Sequence, residues 1–246
     1  MKAKDFRTIG HNTLKLFSGR LIVLFFIIGF FLSFASVSID VDVTQIETLL
    51  FELGVEDASQ ISDLVSPILI FLGYISLVTG VASILIPGPF TLSKIIICEK
   101  AYEEVIPEYS DMFAGFKDFK RAFVANLLIG LYISLWSMIS FGILGIVKSY
   151  SYSMTFYILR EDPYISANDA ITASRKMMEG NKMPLFVLDL SYIGWYILNL
   201  FTLGILSLWI TPKHEIARYA FFRCVDGRME LARDSVANNY QETIVD

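Results

Sequence analysis

Phe123 to Val147 reads FVANLLIGLYISLWSMISFGILGIV, twenty-five residues without a single charge. A helix of about 20 apolar residues spans the roughly 30 Å hydrocarbon layer of a bilayer, and its backbone bonds to itself where no water is available. Four further stretches, Leu21 to Ile39, Leu64 to Phe90, Ser149 to Leu159 and Met183 to Pro212, are nearly as apolar. Together they predict an all-α, polytopic transmembrane bundle.

The composition agrees with that reading. Hydrophobic residues make up 54% of the 246 residues and charged ones 18%, with 20 Phe, 12 Tyr and a mean hydropathy of +0.56. Such a chain has apolar surface to turn toward lipid, and one membrane domain occupies the whole of 1–246. With a net charge of −5 and no basic tail, nucleic acid is not an expected partner. Cys98 and Cys224 each sit beside basic residues, which reads as two thiols rather than a disulfide.

Charge placement predicts the topology. Of the 20 Lys and Arg, five lie in residues 1–20, five in 88–121, four in 160–182 and five in 213–246, with Lys148 alone elsewhere. Residues 39–63 hold seven acids and no Lys or Arg. Basic segments stay on the cytoplasmic side, so both termini are expected inside and 39–63 outside as an acidic extracytoplasmic loop. Six crossings fit this parity, with four as the alternative. Ala35-Ser36-Val37 imitates a signal-peptide cleavage site, but the long leader reads as part of a retained anchor.

Local signals divide the chain further. Thr44-Gln-Ile-Glu47 has capping-box form, with Ile46, Leu49, Leu50 and Leu53 at helical spacing, and predicts a short amphipathic helix in the acidic loop. Pro87-Gly88-Pro89 must kink or end the second span. Two hairpins follow, about 122–140 with 141–160 and about 183–201 with 203–225. A weak repeat at about sixty residues links Ile86-Pro87-Gly88, Val147-Lys148-Ser149 and Thr211-Pro212-Lys213. Between the hairpins, 161–182 is expected as a cytoplasmic amphipathic helix. Ser166-x-x-Asp169 starts it, Gly180 stops it, and Ala167, Ala170, Ile171, Ser174, Met177 and Met178 share one face. Arg175, Lys176, Met177 and Met178 are its candidate lipid or partner surface, with the cations at anionic headgroups. Residues 227–246 form a cytoplasmic tail.

Tyr150-Ser-Tyr-Ser-Met154, Asp162-Pro163, Ser174 with Met177, Met178 and Gly180, Ser191 with Gly194-Trp195, and Thr202-Leu203-Gly204 leading to Trp209 and Pro212 form a more specific pattern. In these elements the chain resembles a family of bacterial multi-pass membrane proteins, domain of unknown function nine-seven-five. The resemblance covers about residues 150–222 and departs at Pro212-Lys213-His214-Glu215, where the family tends to continue Pro-Tyr. It implies an integral fold in a bacterial cytoplasmic membrane and brings no catalytic residues with it.

Little catalytic chemistry is visible. His11 and His214 are the only histidines, and His214-Glu215 lacks a second His four residues on, so neither a zinc-protease motif nor a metal site is expected. No phosphate-binding glycine loop, nucleophile elbow or CxxC pair occurs, and no cofactor is expected. What stands out is charge at membrane depth, where ionised groups are costly and usually paired. From distances to the span ends, Asp189 is expected to pair with Arg218 and Lys148 with Glu215, linking the last three helices. The expected function is non-enzymatic, in assembly, partner binding or envelope maintenance, with the bilayer and a membrane or cytoplasmic protein as partners. The alternative is a small transporter or channel that uses those charges.

Overall fold

The computed structural model describes the backbone of residues 2–35, 48 and 58–245, and the side chains of 2–17, 19–33, 48 and 66–227. Among the described residues it is all-helical, with no strand. The helices are α1 (Ala3–Ala35), α2 (Ala58–Leu85), α3 (Pro87–Tyr102), a 3-10 helix η1 (Tyr109–Asp118), α4 (Phe119–Ile139), α5 (Ile143–Tyr152), α6 (Thr155–Glu161), α7 (Ala167–Met177), α8 (Lys182–Phe201) and α9 (Ser207–Val245). The chain divides into two compact units, 30–86 and 1–29 with 87–246. The acidic loop 39–63 and its amphipathic helix fall outside the described residues, save Thr48 and the helical backbone from Ala58.

The smaller unit contains α2, which presents Ile70, Phe71, Tyr74, Leu77, Val81 and Ile84 as exposed side chains. A helix apolar all round suits a lipid solvent. Thr79 is buried and returns its hydroxyl to the Ile75 carbonyl at 3.0 Å. Helix α2 ends at Leu85 and α3 begins at Pro87, whose missing amide and fixed φ suit a first helical position.

Helix α3 is the hub of the larger unit, packing against η1, α4, α6 and α9. Phe90, Leu92, Ile95, Ile97, Cys98 and Ala101 are buried along it. An aromatic joint closes the centre, with Tyr157 of α6 at 5.1 Å from Phe222 and Tyr219 of α9 at 5.5 Å from Tyr102. Two contacts lock this core because one side chain is missing or small. A Cβ on Gly115 would collide with the Pro89 carbonyl oxygen, and the Gly115 amide donates to Ser93 Oγ at 2.9 Å. Ser174 Oγ accepts from the Met154 amide at 3.1 Å and donates to the Ser151 carbonyl at 2.9 Å, tying α7 to the break between α5 and α6.

Both hairpins turn in the same way. Ser140-Phe141-Gly142-Ile143-Leu144 and Thr202-Leu203-Gly204-Ile205-Leu206 recur 62 residues apart. Phe141 and Leu203 have φ of 50° and 51°, and the glycines after them 95° and 89°, a left-handed pair whose second member must be glycine-like. Gly142 donates its amide to the Ser137 carbonyl at 2.9 Å and Gly204 to that of Asn199 at 3.0 Å. The Ser140 and Thr202 hydroxyls accept from the Leu144 and Leu206 amides at 2.8 and 3.3 Å. Phe141 and Leu203, 100% and 94% exposed, cap the two tips. After the first tip the chain returns to where it set out. Arg121, in the first turn of α4, donates to the carbonyls of Leu159, Asp162 and Ile165 at 3.2, 2.7 and 3.2 Å.

Among the described residues three helical stretches are long and apolar enough to cross a membrane, namely Ser66–Leu85, Tyr109–Ile139 and Lys182–Phe201. The limbs Ala3–Phe17 and Gly19–Ser33 of α1, bent by 103°, make a fourth when taken together. The count of six is not supported by this criterion. The first return limb is broken into α5 and α6, of 10 and 7 residues, and the second, α9, carries charge from Lys213 onward. Within the expected tail 227–246, α9 continues as helix to Val245.

Candidate functional site: a polar network between α3, α8 and α9

The antiparallel hairpin of α8 and α9 sets which residues face each other. Asp189 stands fifteen residues before Gly204 and Arg218 fourteen after it, so the two meet near the same level. Arg218 Nη2 donates to Asp189 Oδ2 at 3.4 Å, while its Nε lies 3.4 Å from Oδ1 without hydrogen-bond alignment. Asp189 also engages the Tyr150 side chain and His214, whose Nε2 is 2.8 Å from Oδ1. An ionised carboxylate only accepts, so Nε2 is the donor and Nδ1 of a neutral ring is left to accept. The Tyr196 hydroxyl supplies that proton at 3.0 Å. The Tyr192 ring lies 4.6 Å from the imidazole and fixes its plane, with its hydroxyl donating to the Lys213 carbonyl at 3.3 Å.

Glu215, one residue on, points toward α3 and meets Lys94 Nζ at 3.2 Å. Their side chains are 21% and 22% exposed, enough shielding to strengthen the pair without drying it completely. The result is one ordered sequence of groups, Tyr196, His214, Asp189 and Arg218, beside a second ion pair. Both couple α9 to its neighbours. Near the chain ends of α6, Arg160 bonds Glu99 and Arg223 bonds Glu161, each at 2.6 Å, and Lys100 bonds Asp111 at 2.7 Å. These tie α3, α6, α9 and η1 together where the hydropathy falls.

Of the two expected pairs, Asp189 and Arg218 are brought together. Lys148 and Glu215 are not. Lys148 lies six residues after Gly142 and Trp136 six before it, so the hairpin places the ammonium over the indole, 4.4 Å from the ring centroid. A cation over the face of a tryptophan is held by the ring quadrupole. Meanwhile the α3 hub takes the face of α9 that carries Glu215. The proposed surface on α7 is also corrected. Met177 and Met178 are buried, because α7 turns that face onto α4, α5 and α6; only Arg175 and Lys176 stay exposed. Ser166 caps α7 by accepting from the Asp169 amide at 3.2 Å.

Sequence reading gave no role to Lys94 or Tyr196, weighed His214 only as a metal ligand, and passed over Arg121. A usable signal existed for the first three. The recurring tip motif gives the hairpin register, and Lys94 is a lone cation inside an otherwise apolar stretch of α3. Among the described residues no group of three His, Cys, Asp or Glu is placed to hold a metal ion.

The fold and this network define a helical bundle of membrane-protein type. Residues 138–229 match the model of a family described as "Protein of unknown function (DUF975)". That segment runs from the first hairpin tip through α5, α6, α7 and α8 into α9, and so contains both tip motifs and every member of the network except Lys94. No curated protein and no solved structure matches the chain.

Proposed function

We infer that this chain is a non-enzymatic integral protein of a bacterial cytoplasmic membrane that acts by holding a protein partner, in assembly or envelope maintenance. The carrying observation is that Asp189, Arg218, Glu215 and Lys94 are used on one another, while Lys148 is held over Trp136. Asp189 engages His214 and Arg218, and Glu215 engages Lys94. Pairing of this kind stabilises one arrangement of helices, whereas a solute path needs groups that exchange partners with water. In this reading the two return limbs cross as well, giving six passes with both termini inside. Their polar residues are tolerated because α6 and the middle of α9 face protein rather than lipid. Arg175 and Lys176 on α7 then face the anionic inner leaflet or the partner.

The transporter reading draws on one specific observation, the Tyr196–His214–Asp189 sequence, which has the form of a proton relay. Purified protein in liposomes loaded with a pH-sensitive dye separates the two. The expected result is no protein-dependent proton flux at imposed gradients. Flux that disappears in Asp189→Asn and His214→Ala overturns the structural reading. Cysteines at Phe141 and Leu203, in a background without the native thiols, test the passes. Both are expected to label from outside, and labelling from the cytoplasmic side at either one overturns the six-pass arrangement.

A further inference from the structure

Beside the network, the first limb of α1 packs on α9 and, together with α8, lines a half-open cavity of about 270 Å³. The docking is close. A Cβ on Gly10 would collide with the Lys213 carbonyl oxygen, and Phe6 packs edge-on against Phe221 at 5.5 Å. Lys4, Arg7 and His11 line the cavity from α1, and Lys213 from α9. Among the described residues no carboxylate lines it. Among the described residues the side chains of Lys4, Arg7 and Lys213 have no ion-pair partner, and the nearby Asp5 is engaged by the Lys2 amide at 2.7 Å. The opposite wall carries the indoles of Trp195 and Trp209. Three cations and an imidazole together with two indoles make an amphiphilic site, cationic in one part and apolar in another.

We propose that this cavity binds the phosphate headgroup of an anionic phospholipid, with Lys4, Arg7 and Lys213 on the phosphate and Trp195 and Trp209 against the glycerol and upper acyl chain. A guanidinium matches phosphate oxygens in a fork, lysines add point charge, and indoles favour the boundary between headgroup and hydrocarbon. A soluble phosphate shares the anionic half of this chemistry but has no use for the aromatic wall.

The tryptophans serve as reporters. Trp136 is the third in the chain and lies in the other hairpin, so Trp136→Phe leaves emission from Trp195 and Trp209 alone. The full chain carrying that change is placed in nanodiscs of phosphatidylcholine containing a minor fraction of brominated phosphatidylglycerol or brominated phosphatidylcholine. Brominated phosphatidylglycerol is expected to quench at least about threefold more effectively, the scale of one or two cation–headgroup contacts. Lys4→Gln with Arg7→Gln is expected to erase the preference, and Lys213→Gln, on the other wall, to reduce it independently should the double variant fold poorly. Lys117→Gln with Lys120→Gln, which removes the same charge from η1 and the start of α4, should leave it intact. Equal quenching by the two lipids, or a preference that survives the α1 and Lys213 substitutions, overturns the proposal. So does inorganic phosphate at millimolar concentration abolishing the preference, which would assign the cavity to a soluble anion.

Discussion

Lys94 and Glu215 stand 121 residues apart in sequence and 3.2 Å apart in space, joining the hub helix α3 to α9. Each is the other's charge partner, and both are about four-fifths buried. Removing one leaves the other poorly solvated. Lys94→Ala and Glu215→Ala are each expected to cost about 1–3 kcal/mol, below the value for a fully buried pair because some water reaches both groups. The exchange Lys94→Glu with Glu215→Lys should recover at least half of that in thermal unfolding of the purified protein. An exchange no more stable than the singles would show that the two do not interact.

Asp189 engages His214, Arg218 and the Tyr150 side chain, so its substitutions should not behave like those of Glu215. Asp189→Asn keeps an acceptor for His214 and loses the charge facing Arg218, whereas Asp189→Ala loses both. The alanine variant is expected to be less stable than the asparagine one by about 1 kcal/mol, the worth of a typical hydrogen bond. In a Tyr196→Phe background, where the order imposed on the ring is lost, the gap should shrink.

Ser174 is fully buried, and its hydroxyl serves the Met154 amide and the Ser151 carbonyl at once. Ser174→Ala strands both backbone groups, which should cost about 1–3 kcal/mol. Faster amide exchange at Met154 is the expected signature, and unchanged exchange there would remove Ser174 from this role.

Arg121 holds the loop after α6 through three carbonyls, a task suited to a planar fork of donors. Arg121→Lys keeps the charge but cannot reach all three. Exchange protection of 160–166 should fall with little change in the melting temperature, while the hairpin tip at 140–144 stays as protected as before.

Gly115 and Gly194 provide a matched comparison. A methyl group at Gly115 meets the Pro89 carbonyl oxygen, and one at Gly194 meets nothing within 4 Å. Gly115→Ala is expected to destabilise by about 1–3 kcal/mol or more. Gly194→Ala should be neutral or slightly stabilising through helix propensity. Equal effects at the two sites would contradict the packing of η1 on α3.

Much of the architecture was legible because hydropathy and backbone chemistry act locally. Apolar runs announce the helices that face lipid, and Pro87, Gly142, Gly180 and Gly204 mark breaks or turns through φ and missing donors. The Asp189–Arg218 pair followed from helical rise counted from the span ends, since both lie on one hairpin. Lys148 and Glu215 have similar depth along the chain, yet depth says nothing about azimuth. Lys148 lies across its hairpin from Trp136, while Glu215 faces the α3 hub.

By itself, then, the sequence determined a helical membrane bundle, its turn positions and the location of its amphipathic α7. Those depend on the solvent each segment prefers and on residue-level conformational limits. Only the tertiary structure decided which face of each helix meets protein. It turned Met177 and Met178 inward, assigned Glu215 to Lys94, drew His214 into contact with Asp189 and Tyr196, and set the cationic limb of α1 over two tryptophans. Each of these depends on the rotation of one helix against another, and that is chosen by the packing of the whole core.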